Sequence, residues 1–188
     1  MKYSKSLELN NAKLILLAWR YVKDGKLKGI VGAHVDDFLI CGDEEDDDWK
    51  SFLEILLTSF RWTPWEQDRF KQCGVLIEQN ADNSITQSQD EYLATLAEIE
   101  ISKERAAQTN SPVTEKERTQ LRALLGGEQW LVTQTQVGCM ADVNLLQSSV
   151  ATATVETLQA ANKTLRKLRQ GTSKLYSRKI GRKVHMVG

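Results

Sequence analysis

Apolar and polar positions follow two different periods along the chain, and the change falls near residue 88. Before it, short apolar runs are punctuated by glycines and acidic turns. Leu14 to Val22 reads as a strand ending at Asp24-Gly25, a two-residue hairpin signal, and Lys26 to His34 reads as the returning strand. Ile30, Val31 and Ala33, then Phe38 to Cys41, are too short for a stable helix and are bounded by Gly29 and Gly42, so they read as two buried strands reversing at Val35-Asp36. Trp49, Phe52, Leu53, Leu56 and Phe60 recur at helical spacing until Arg61-Trp-Thr-Pro-Trp breaks the pattern at Pro64. Phe70 to Gln79 reads as one strand, Ala81-Asp-Asn as a turn and Ser84 to Gln87 as the return.

After residue 88 the period is helical. Gln89-Asp-Glu-Tyr-Leu opens a helix with acids in its first turn, and Asn110-Ser-Pro-Val is a loop. Thr114 to Glu117 has the capping-box pattern, and the helix it opens carries Leu121, Leu124, Leu125 and Trp130. Ala141 to Ser148 reads as a partner helix. Thr154 to Gln170 is amphipathic, with Val155, Leu158, Ala161, Leu165 and Leu168 inward, basic residues outward and Gly171 as its cap. The fold class expected is α+β: antiparallel β-hairpins over 14–88, helices over 89–170, a polar arm over 1–13 and a basic tail over 171–188.

The chain has 188 residues and a formal net charge of zero. The charge is unevenly spread. Acids crowd Asp43 to Asp48 at the start of a helix, where the macrodipole favours them. From Lys163 to Lys183 there are nine basic residues in the sequence and no acidic one, which fits either a phosphate-binding surface or a solvated helix face and tail. No apolar run is long enough to cross a bilayer and no secretory leader is evident, so an intracellular protein, cytoplasmic or nuclear, is expected. Cys41, Cys73 and Cys139 are isolated and read as buried thiols rather than a disulfide framework or a zinc site.

The candidate chemistry centres on Asp36 and Asp37. At a hairpin tip two adjacent carboxylates need not point to opposite faces, and their repulsion is relieved by a hard divalent cation between them. Ordinary turn chemistry is the competing reading, because Asp favours reversals. On the helix after Thr114, Arg122, Gly126 and Trp130 repeat every four residues and share a face. The adjacent Gly126 and Gly127 cost helix stability, so something needs close approach there. A duplex minor groove and a tight helix crossing both satisfy that. Gly74 is either a point of close backbone approach or a bulge within its strand.

Gly29-Ile-Val-Gly-Ala-His-Val-Asp-Asp-Phe-Leu resembles the aromatic-x-Asp-Asp hairpin of reverse transcriptases, and is most similar to the copia-type retrotransposon branch. Phe70 to Gln87 looks like the primer-grip hairpin with Gly74 as its glycine. Gln89 with Tyr92 matches the family's Gln-x-x-Tyr, and Leu121 to Thr135 resembles the thumb helix that follows the minor groove. The Ala-Asn-Lys-x-Leu-Arg segment from Ala161 resembles the helix leading toward an RNase H domain.

The resemblance covers about residues 14 to 185. It implies a partial polymerase palm over 14–88, a helical thumb and connection over 89–170, and an unfinished connector beyond. It further implies magnesium held by Asp36 and Asp37, nucleotidyl transfer by two-metal catalysis, a template-primer duplex and a deoxynucleotide as partners, and nucleic-acid contacts at Gly74, Arg122, Gly126, Trp130, Lys163, Arg166 and Lys167. The missing fingers and palm, or the integrase and RNase H regions of a parent polyprotein, are further expected partners.

Three departures stand out. The aspartate that bridges both metals in the family lies upstream of anything present here, His34 replaces the usual tyrosine, and Gln136-Val-Gly stands where Arg-Pro-Asp is usual. No polymerase activity is therefore expected from this chain alone. The alternatives are a non-catalytic nucleic-acid-binding remnant and a relic without function.

Overall fold

The computed structural model describes residues 17–34, 37–171 and 174–179, and the chain divides into two compact units after Trp65. In the first unit β1 (Leu17–Lys23), β2 (Lys26–His34) and β3 (Asp37–Gly42) form an antiparallel sheet in that order, followed by α1 (Asp47–Ser59). Asp24 and Gly25 both have positive φ, 51° and 73°, the geometry whose twist matches the strands it joins. Asp46 caps α1 by accepting hydrogen bonds from the Asp48 and Trp49 amides at 3.0 and 3.1 Å.

One face of this sheet is covered by α1. Gly29 and Gly42 are cross-strand partners, and a Cβ on either would overlap the Trp49 ring. The missing side chains thus make a slot that buries the indole, and Tyr21 and Phe52 stack beside it with ring centroids 4.7 Å apart. The helix stops at Ser59, before the proline expected to break it. Trp62 turns back over its end, donating from Nε1 to the Leu56 carbonyl at 3.2 Å and meeting Phe38 edge-on.

In the second unit β4 (Arg69–Gln72), β5 (Val75–Gln79), β6 (Ile85–Ser88) and β7 (Leu175–Ser177) form an antiparallel sheet in that order. Two expectations are corrected here. The strand read over Phe70 to Gln79 is two strands, because Cys73 and Gly74, with φ of 50° and 77°, make a second two-residue turn. The segment read as a tail contributes β7, whose pairing with β6 occupies backbone groups that would otherwise form an open edge. The expected turn between β5 and β6 is present, closed by the Asn80 amide donating to the Ser84 carbonyl at 2.8 Å.

The helices are α2 (Asp90–Thr95), α3 (Lys103–Ala106), α4 (Glu115–Gln134), α5 (Met140–Ser148) and α6 (Val155–Gln170). Their core joins Leu121, Leu125, Leu131, Val132, Val143, Leu158, Leu165 and Leu168. The stretch after α2 is pinned to α6 by Asn162, whose amide exchanges two 2.8 Å hydrogen bonds with the Ile99 backbone. Thr114 and Glu117 form the expected capping box, and Arg105 grips Glu117 through two nitrogens at 2.9 and 2.8 Å. Gly171 ends α6 at φ −75°, a conformation open to any residue.

The protein is therefore α+β, with antiparallel sheets and helices. The division after residue 88 follows the change in sequence period, whereas the compact units part after Trp65, because the β4–β6 strands belong with the helices that follow them. Among the described residues no helix is long and apolar enough to cross a membrane.

Candidate nucleic-acid interface

The last residue pair of the β2–β3 ladder is His34 with Asp37, so only Val35 and Asp36 connect the two strands. Both lie outside the described residues. Asp37 is exposed at the start of β3. Strand alternation puts Phe38, Ile40 and Gly42 on the α1 face and Asp37, Leu39 and Cys41 on the other, level with His34, Gly32 and Ile30 of β2. On that second face Ile30 is 41% and Leu39 38% exposed, too open for a covered core. Cys41 and Cys73 are exposed and only Cys139 is buried, which corrects the expectation of three buried thiols. Cys41 follows from its place on the open face, and Cys73 from its place in a turn.

Among the described residues no three His, Cys, Asp or Glu side chains gather closely enough to hold a metal. Asp37 is the described carboxylate of the predicted pair, and one carboxylate falls short of the six or so oxygens a hard divalent ion requires. The described residues therefore do not fit a magnesium site by themselves. The acids after β3 are otherwise engaged. Asp46 is held below the usual carboxylate range by its hydrogen bond from Lys28, and Asp48 by those from Lys23 and Lys28, so these carboxylates tie α1 to the sheet.

On α4 the two adjacent glycines separate in role. Gly127 is buried, and a Cβ there would stand 2.6 Å from Leu96 and 3.4 Å from the Tyr92 hydroxyl, so its close approach is to the chain's own α2 segment. Gly126 is exposed, with nothing within 4 Å of where its Cβ would be. Arg122 is exposed and Trp130 half-buried on the same face. Gly74 lies at the turn between β4 and β5 rather than inside a strand, and a Cβ there would be 3.8 Å from Trp130 Nε1. Gly74 and Trp130 are thus brought together across 56 positions of sequence, and Arg122 lies about two helical turns along α4 from Trp130. Gly74 also lines a cavity of about 290 Å³ with Arg69, Lys71, Gln89, Glu91 and Lys174.

Lys163, Arg166 and Lys167 are exposed on α6 as expected, but two of them already have anionic partners. Arg166 contacts Glu98 at 2.8 Å and Lys167 contacts Asp142 at 2.8 Å. Arg169 reaches both Glu98, at 3.7 Å, and the Leu96 carbonyl.

The burial of two polar groups, Glu128 and the Gln89 of the Gln-x-x-Tyr match, was not read from the sequence. Glu128 is fully buried on α4 with no hydrogen bond to either carboxylate oxygen, and burial pushes its pKa up to about 8. Its position among Leu121, Leu124, Leu125, Leu131 and Val132 at helical spacing was the available signal. Gln89 is also buried. Its Oε1 accepts from the Thr135 hydroxyl at 2.9 Å, joining the start of α2 to the end of α4.

No protein-family model, no curated protein and no solved structure matches this chain.

Proposed function

We propose that the chain is the C-terminal part of a copia-type reverse transcriptase, comprising the second half of the palm, the thumb and the connection, and that alone it binds a template-primer duplex without extending it. The observation that carries this reading is the setting of Asp37. It opens β3 opposite His34, at the last pair of the antiparallel β2–β3 ladder, on the sheet face that α1 leaves open.

The second unit supports the same reading. An exposed Arg122, a bare Gly126 backbone and a half-buried Trp130 succeed one another on one face of α4, with the Gly74 turn against the indole. A cation for phosphates, a gap that admits a sugar edge and an aromatic surface are what a helix needs to follow a duplex groove. The open face of the first sheet and the α4 face are each usable for binding without chemistry. Because the described residues do not make a magnesium site, no transfer step is assigned to this chain.

The test is direct. Fluorescence anisotropy of a labelled RNA–DNA hybrid should rise with added protein, and the affinity should fall steeply with salt. Arg122→Ala combined with Trp130→Ala should abolish the rise, while Asp36→Asn combined with Asp37→Asn should leave it in place. Primer extension with magnesium and deoxynucleotides should yield no product. Extension by the wild-type chain, or undiminished binding by the Arg122/Trp130 variant, overturns the reading.

A further inference from the structure

Four cations project from the solvent side of α6: Lys163, Arg166, Lys167 and Arg169. Three of them are met by carboxylates from elsewhere in the same unit. Glu98, in the stretch between α2 and α3, lies 2.8 Å from Arg166 and 3.7 Å from Arg169, and Asp142, in the first turn of α5, lies 2.8 Å from Lys167. The acids approach the helix from two different elements, so they bracket the basic stripe. Lys163, one turn nearer the N-terminus, has no ion pair among the described residues.

These pairs are poorly suited to holding the fold together. The side chains of Arg166 and Lys167 are 55% and 60% exposed, and pairs this open contribute at most about 1 kcal/mol each. The elements they connect are already joined by stronger means. The Asn162 side chain pins Ile99 to α6 with two buried hydrogen bonds, and Val143 of α5 packs in the same core as Leu165 and Leu168. What the two carboxylates do change is the field over α6. They reduce a local charge of four cations to a balance of two, while leaving every cation at the surface and able to exchange its partner for a phosphate oxygen.

We propose that Glu98 and Asp142 form an intramolecular cover over a polyanion-binding face on α6, and that a nucleic-acid backbone engages this face by displacing them. The proposal rests on the reading of the chain as a duplex-binding protein and adds its regulation. Binding strength through α6 is set by competition between two carboxylates and the incoming phosphates. Anything that removes those charges opens the face.

The experiment compares hybrid-duplex binding by the wild type, Glu98→Gln with Asp142→Asn, and Glu54→Gln with Glu44→Gln. The last pair neutralises the same number of acids in the first unit and controls for net charge. The cover variant should bind about tenfold tighter at low salt, and its affinity should depend more steeply on salt by roughly two released counterions, while the charge-matched control moves much less. Adding Arg166→Ala and Lys167→Ala to the cover variant should remove the gain. All three variants alter side chains that are exposed or partly exposed, and matching thermal transitions would show that the fold is kept.

Equal affinity in the wild type and the cover variant, or an equal gain in the control, overturns the cover while leaving duplex binding intact. No binding by any of these proteins overturns the duplex-binding reading and the cover with it.

Discussion

Gly29 and Gly42 face each other across β2 and β3, and the Trp49 indole occupies the space their missing side chains leave. This relationship fixes α1 on one side of the sheet and so decides which side stays open to Asp37. A methyl group at either glycine must displace a fully buried ring. Gly29→Ala and Gly42→Ala should each destabilise the first unit by about 1–3 kcal/mol, and Trp49→Ala by about 3–5 kcal/mol, read from urea unfolding followed by tryptophan fluorescence. Wild-type midpoints in both alanine variants would contradict the packing described.

The adjacent glycines of α4 should respond in opposite directions. Gly127→Ala forces its methyl against Leu96 and should cost about 1–3 kcal/mol. Gly126→Ala meets open space and should stabilise α4 by about 0.5–1 kcal/mol through helix propensity alone. If a duplex runs over this face, the more stable Gly126→Ala protein should nevertheless bind hybrid less tightly. Thermal melts and anisotropy on the same two variants separate a packing role from a binding role.

Glu128 should make the second unit lose stability as pH rises. Its folded pKa is raised from 4.5 to about 8, so the native state holds a proton that the unfolded chain releases earlier. The stability present below the unfolded value is therefore lost as pH climbs through this interval. Glu128→Gln should flatten that slope and, above pH 8, stabilise the unit by a few kcal/mol. Chemical unfolding across the interval checks it, and an unchanged slope in the variant would falsify the assignment to Glu128.

Glu117 should act in the opposite sense. Arg105, aided by the Thr114 amide, holds its pKa down to about 2, so its contribution is complete above the usual glutamate value and is lost as pH falls from 4.5 toward 2. Glu117→Gln should remove that acid-side dependence. It should also weaken the start of α4 by about 1–2 kcal/mol at neutral pH through the lost ion pair with Arg105, since a glutamine can keep the capping box. Acid titration of the far-ultraviolet helix signal would report both effects.

The parts of the fold that local chemistry dictates were legible in the sequence. Asp24-Gly25 specifies its turn, Thr114 and Glu117 specify the start of α4, and the Trp49, Phe52, Leu53 and Leu56 spacing specifies the buried side of α1. The turn at Cys73-Gly74 was hidden because apolar residues continue on both sides of it, and a cysteine at positive φ gives little warning. The strand β7 could not be read locally, since its partner lies about ninety residues earlier in β6. At the candidate site the antiparallel pairing of β2 with β3 was readable from their two apolar runs. The convergence of Gly74 on Trp130, and the masking of Arg166 and Lys167 by Glu98 and Asp142, depend on the tertiary arrangement and leave no local mark.

The central claim is that this chain holds a duplex through α4 without performing chemistry on it. It is tested most directly by titrating labelled RNA–DNA hybrid with the wild type and with the Arg122→Ala/Trp130→Ala variant over a range of salt. Salt-sensitive binding by the wild type and its loss in the variant is the predicted result. Binding that is absent in the wild type, or equal in the two proteins, would contradict the account.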